Sequence, residues 1–246
     1  MRRVVFVVSV TACGRSGFGI EVDAASGSGN PDSAIVTDGD GSVVDPFDAP
    51  MGSVVTKFGE TPTSNVMGVT SDTYLNGEAG SVGNNYGGST SIQVEGSQDR
   101  ALVKFTLTAI PAGKTILAAR LHLYSQSSQA GSAALYPVLE DWTEGTGTGG
   151  VAGVANWSMR TATLSWTSAG AGTPGSSGAQ IATFTTPGTG AFGVDLPVAT
   201  VQAWINTPST NFGLMISATG AADLSFASSN NATTTNRPEL VVTYAP

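Results

Sequence analysis

The chain has 246 residues, 40% of them hydrophobic and only 11% charged, with a formal net charge of −8. A chain this long can bury a substantial core within one domain. The acidic balance, with no block of basic residues, excludes the concentrated cationic field of a nucleic-acid binder.

The amino terminus reads as an export signal. Arg2 and Arg3 form a basic start, Val4 to Val10 form a short apolar run with one serine, and Val10-Thr11-Ala12-Cys13 has the form of a bacterial lipoprotein signal. In such a signal the cysteine becomes the acylated first residue of the mature chain. Residues 1–13 are therefore expected to be a signal peptide, with Cys13 the lipidation site. The other reading, a buried strand with a free thiol, fits the two arginines and the small residue before Cys13 less well. The run is too short to span a bilayer, and a single acyl chain anchors weakly. Cys13 is the one cysteine of the chain, so no intrachain disulfide forms. The expected location is the bacterial cell envelope or outer surface, with membrane contact through the lipid only.

Residues 14–50 carry seven acids (Glu21, Asp23, Asp32, Asp38, Asp40, Asp45 and Asp48) against Arg15 alone, a balance of −6. The stretch is small, acidic and aperiodic, and such a segment buries too little apolar surface to offset its ordering entropy. A disordered tether is expected. The run Asp38-Gly39-Asp40-Gly41 resembles part of a calcium loop but lacks the downstream acidic ligand at loop spacing.

The folded domain is expected over 51–246. The 32 glycines with abundant Ser and Thr suit short strands and tight turns. SVVTKF opens the domain at Ser53, MGVTSDTYLNG and a loop rich in glycine and asparagine follow, and TSIQVEG leads into the central stretch from Gln98 to Tyr124. There Ala101, Val103 and Phe105 alternate with Arg100, Leu102 and Lys104, and Ala119, Leu121 and Leu123 alternate with Arg120, His122 and Tyr124. A period of two puts the apolar parity on a core and the basic and aromatic parity outside. Pro111 and Gly113 punctuate the link between the two strands.

Ala133 to Leu139 form a further strand, and a long loop carrying Trp142 and Trp157 follows. QIATFTT, AFGVDL, NFGLMISA, DLSFASS and PELVVTY complete the strands. Between two of them, PVATVQAWINT spaces Val198, Val201, Ala203, Trp204 and Ile205 as a short helix with one buried side. About ten strands and one helix predict an all-β fold, a jelly-roll sandwich of two antiparallel sheets.

The run SDTYLNG, NYG and QDRALVKFTLTAIPAGKTILAARLHLY, then EDWTEGTG, ANWSMRT and LSWTSAGAG, then GVDLPVATVQAWIN, NFGLMISA, LSFASS and RPELVVTY resembles the DNRLRE domain, also classed as carbohydrate-binding module family 96. The similarity covers about residues 66 to 245 in order. It implies a secreted β-sandwich of bacterial surface proteins, with some members binding acidic polysaccharide such as alginate, and it implies no catalysis. In one departure, Asn230 stands where the family usually has a glutamate, which removes an acidic ligand or ion-pair partner at that end.

Arg100 and Lys104 on one strand, with Arg120, His122 and Tyr124 on the other, are candidates for a basic floor under a uronate polymer. Arginine recognises carboxylate in bidentate fashion, and tyrosine offers a face to a pyranose. The alternative is ordinary pairing with Glu95, Asp99 or Glu239. Trp142 is a candidate for stacking on a sugar from its loop, and Trp142 and Trp157 suit a packed loop clamp equally. Trp204 is expected in the core.

An enzyme is not expected. His122 is the one histidine and has no nucleophile motif around it, while Glu140, Asp141 and Glu144 flank Trp142 in a segment better suited to capping a turn or binding a cation. No cofactor is expected, and Asp72, Glu95, Asp99 and Asp223 are possible oxygen ligands for a structural calcium. The sequence thus predicts a surface-anchored, non-catalytic module for acidic polysaccharide. The other reading is a structural or adhesive envelope domain that binds protein.

Overall fold

The computed structural model describes residues 36–37, 43–44, 52–68, 70–96, 98–150 and 154–246. The signal with Cys13, most of the acidic tether and the DGDG run lie outside the described residues. The chain divides into two units, Met1–Pro50 and Met51–Pro246. In the first, Val36–Thr37 (β1) pairs antiparallel with Val43–Val44 (β2).

The second unit holds eleven described strands: β3 (Val54–Gly59), β4 (Thr70–Asn76), β5 (Ser91–Glu95), β6 (Asp99–Phe105), β7 (Ile116–Ser125), β8 (Ser132–Pro137), β9 (Ala182–Thr185), β10 (Gly190–Asp195), β11 (Leu214–Ala218), β12 (Asp223–Ala227) and β13 (Glu239–Tyr244). Every ladder is antiparallel. Strands β3, β13, β7 and β10 lie side by side in one layer, and β4, β6, β11, β8 and β9 in the other. The ribbon of β5 and β12 joins the layers through single residue pairs, Glu95 to Asp99 and Phe226 to Ser125. The result is the expected all-β sandwich.

The alternation read from sequence explains the two layers. Ala101, Val103 and Phe105 of β6 and Ala119, Leu121 and Leu123 of β7 enter the same core, together with Leu214, Ile216, Leu240 and Val242. The two strands therefore face each other across the core. They are consecutive in sequence but share no ladder: β6 pairs with β4 and β11, β7 with β13 and β10. Each buried Leu, Ile, Val or Phe side chain contributes roughly 1.5 to 3 kcal/mol, so these inward rows dominate the stability of the domain.

Helix α1 (Val198–Asn206) closes one end of this core with Val201, Trp204 and Ile205. The inner face expected from sequence is narrower in the structure. Ala203 is exposed, because at 100° per residue it points away from 201, 204 and 205, and Val198 in the first turn is 37% exposed. Gln202 stitches the helix to β7, accepting from the Ile116 amide at 2.9 Å and donating to the Lys114 carbonyl at 2.9 Å.

The outer surfaces of the layers differ. Outside β4, β6 and β11 a second cluster forms from Leu75, Leu102, Met215, Val138, Trp142 and Trp166, so these strands are covered on both faces. The cover is the long segment between β8 and β9. Outside β7 the side chains of Arg120, His122 and Tyr124 remain half-buried.

Candidate functional site

The single basic floor expected from sequence does not form. Arg100 and Lys104 leave the outer face of one layer, Arg120, His122 and Tyr124 the outer face of the other, and the core lies between them. The inward residues of β6 and β7 fill one core from opposite sides, so their outward residues point in opposite directions.

On the β6 side the cations hold the covering segment. The Arg100 guanidinium sits 5.0 Å from the Trp157 ring centre and donates to the Gly170 carbonyl at 2.8 Å. Burial pushes its pKa down. Lys104 Nζ lies 4.9 Å from the Trp142 ring centre and 3.4 Å from Asp141. Trp142 is 2% exposed, and its Nε1 donates to the Phe212 carbonyl at 2.8 Å. Trp166, buried beside it, donates from Nε1 to the Asn156 carbonyl at 2.9 Å. Trp157 fills a slot between Gly170 and Gly77, where an added Cβ would meet its ring at 2.6 and 2.9 Å. Only glycine leaves room there, and Gly170 also has a φ of +66°. The clamp is the arrangement the tryptophans adopt.

The acids around Trp142 belong to the same fastening. Glu140 accepts from the Thr167 amide and hydroxyl at 3.1 and 2.8 Å, and Glu144 accepts from the Asp72 amide at 2.9 Å. Burial pushes Glu140 up, but donors from Ser176 and Thr167 together with Arg160 outweigh it and hold the carboxyl below its usual range. Asn85 pins the segment from the other side. Its amide nitrogen donates to the carbonyls of Glu144, Val154 and Ala155, and its oxygen accepts from the Gly147 amide at 2.7 Å. Asn230 donates to the Gly87 carbonyl at 2.9 Å.

Of the four acids nominated for calcium, Asp223, Glu95 and Asp99 pair in one row across β12, β5 and β6, while Asp72 lies on β4. Asp99 is buried and pushed up to about 6, by burial first and then by Glu95, Glu78 and Asp223. Among the described residues no group of three or more His, Cys, Asp or Glu is placed to hold a metal ion.

Outside β7 the sequence residues meet a different environment. A groove of about 200 Å³ opens there, lined by His122, Leu123, Tyr124, Ala191, the turn Thr61 to Thr63, and Thr235, Asn236, Arg237 and Glu239. The register builds it. Glu239 lies opposite His122 on one side, Gly193 lies opposite His122 on the other, and Ala191 lies opposite Tyr124. The small side chain of Ala191 leaves the space beside Tyr124 open, whereas the Arg120 side chain lies over Gly193. Arg120, one row away, makes an ion pair with Asp195 at 3.1 Å.

Glu239 sits in the floor of this groove. Its Oε2 accepts from Thr61 and Ser64 hydroxyls at 2.5 Å each and from Thr63 at 2.9 Å, and Oε1 accepts from Thr63 at 3.2 Å. Burial raises this carboxyl, yet the three hydroxyls and Lys57 outweigh it and hold the pKa below the ordinary value. The group is an ionised acceptor at neutral pH. Arg237 pairs with Glu60 at 2.9 Å through Nη1 and with the Asn231 carbonyl at 2.8 Å through Nε. Sequence reading missed Arg237, Glu239 and the Thr61 to Thr63 turn as groove residues. The available signal was Arg-Pro-Glu entering a strand, with two charges on one side of it.

The sequence model for carbohydrate-binding module family 96 matches residues 64–244. The chain belongs to that family. A comparison with curated proteins gives no match. A family 96 module holds a glycan and is typically non-catalytic, and the β-sandwich with a polar groove beside a tyrosine ring accords with that role. Tyr124 brings an aromatic ring to the groove, and His122, Arg237, Asn236 and Glu239 bring polar groups to its lining.

Proposed function

We infer that this chain is a non-catalytic glycan-binding module of the bacterial cell exterior, tethered through Cys13, and that it takes acidic, uronate-type polysaccharide. The observation that carries this reading is the groove over β7 and β13, where a tyrosine ring, a histidine and an arginine line one sugar-sized space. Of the six nominated residues, His122 and Tyr124 act in the groove and Arg120 flanks it. Arg100, Lys104 and Trp142 act indirectly, by fastening the segment on the opposite face.

The test is affinity electrophoresis of the chain in gels containing alginate, pectate or a neutral β-glucan, repeated at increasing salt. Retardation by the acidic polymers that fades with salt is expected, because exposed charge pairs are screened over about 8 to 10 Å at 0.1 to 0.15 M salt. Equal retardation by the neutral glucan would remove the acidic assignment. Free migration in all three gels would return the domain to the structural or adhesive role.

A further inference from the structure

The groove has a built-in polarity. Arg237, Pro238 and Glu239 run as extended chain into β13, with Arg237 at φ −65° and ψ 153°. Residues i and i+2 of extended chain leave on the same side, about 6.5 Å apart. Because β13 runs antiparallel to β7, this spacing sets Glu239 beside His122 and Arg237 beside Tyr124. One end of the groove therefore presents a guanidinium and the other an ionised carboxylate, separated by about the width of a pyranose ring.

Resting on the reading of this groove as a glycan site, we propose that it holds a single hexuronate ring, its carboxylate toward Arg237 and its hydroxyl edge toward Glu239. The reverse orientation would bring two carboxylates together in a partly desolvated site, where like charges repel strongly. Glu239 is suited to accept a ring hydroxyl through Oε1, which takes only one long donor, whereas Oε2 is filled by three. Arg237 spends two of its five N–H donors on Glu60 and Asn231, which fixes the fork and leaves N–H groups for an anion. The volume sets the length of ligand. About 200 Å³ falls below the roughly 300 to 1,000 Å³ of pockets that enclose a drug-sized molecule, so one ring fills it and neighbouring rings lie outside.

The experiment is calorimetric titration of the full chain with oligogalacturonates and oligomannuronates of increasing length and with their carboxyl-reduced, neutral counterparts. The expected result is at least tenfold preference for the acid form and an affinity that levels off by the dimer. Arg237→Lys should erase that preference, because a lysine cannot reproduce the fork. Glu239→Gln should weaken acid and reduced forms by similar factors while keeping the preference. The comparison of acid and reduced ligands on the unaltered chain stands even where a variant folds poorly. Equal binding of both forms, a preference that survives in folded Arg237→Lys, or affinity that climbs steadily with length would each overturn the proposal while leaving glycan binding intact. No binding of any oligosaccharide would overturn the glycan reading and this proposal together.

Discussion

The two outer surfaces of the sandwich carry cations at matching places and put them to different use. Outside β6, Arg100 and Lys104 reach aromatic rings and backbone carbonyls of a segment that lies over them. Outside β7, Arg120, His122 and Tyr124 stand beside a groove. The difference traces to the residues between the cations. On β6 the outward parity includes Leu102, and its neighbour on β11 is Met215, so an apolar patch there requires a cover. On β7 the outward residues 120, 122 and 124 are all polar or aromatic, and the flanking positions on β10 are Ala191 and Gly193. A cation on a sheet face fastens a cover where apolar neighbours demand burial, and where they do not it pairs within its own face, as Arg120 does with Asp195.

The largest way to break this contrast is at Trp142. Trp142→Ala removes a buried ring and its bond to Phe212, and about 3 to 5 kcal/mol of stability should go with it. Urea unfolding measures that loss, and a change under about 1 kcal/mol would mean that the cover is not packed as described.

The layer that carries the cover should also respond to pH. Asp72, 1% exposed on the core-facing side of β4, has its carboxyl pushed up to about 7, by burial first and by Glu144 and Glu60 after, against the Ser229 donors that lower it. A carboxyl whose folded pKa lies above its unfolded value of 3.8 favours the folded state when protonated. Its contribution is full at low pH and is lost as pH rises through 4 to 7, and Asp99 acts in the same direction. Between pH 5 and 8 the melting temperature should therefore fall, by the equivalent of roughly 2 to 4 kcal/mol. Asp72→Asn should flatten the slope and raise stability at pH 8. A melting temperature constant or rising across that range would contradict the burial of an uncompensated acid there.

The smallest effect on stability belongs to the open side. Tyr124→Ala should shift unfolding by no more than about 1 kcal/mol while abolishing retardation in a polyuronate gel. A destabilisation comparable to that of Trp142→Ala, with binding retained, would exchange the roles assigned to the two surfaces.

Much of the fold was legible because strand parity is local. The inward rows of β6 and β7, the strand order along the chain and Trp204 in the core all follow from a period of two and of 3.6. Strand partnership is not local. Nothing in AIPAGK distinguishes a link that folds one strand against its neighbour from one that carries the chain across the core to the other layer. The split of the basic residues followed from that. Leu102 on the outward parity was the sequence sign that β6 has a second covered face, and it weighs more than the two cations beside it. Glu239 was read as a possible counter-ion for the ladder. Its actual surroundings, three hydroxyls from a turn far away in sequence, depend on the β3 to β13 register.

That register has a consequence for the life of the molecule. β3 joins the sandwich by a ladder to β13, with Val54 opposite Tyr244, so apart from a local bridge to Val66 the first strand of the domain waits for β13 before it has a ladder partner. A nascent chain emerging from the ribosome cannot lay its leading strand against β13 ahead of time. The same stretch brings Arg237 and Glu239 to the groove, so a polypeptide halted before residue 237 lacks both the ladder partner of β3 and the two charged side chains that line that groove.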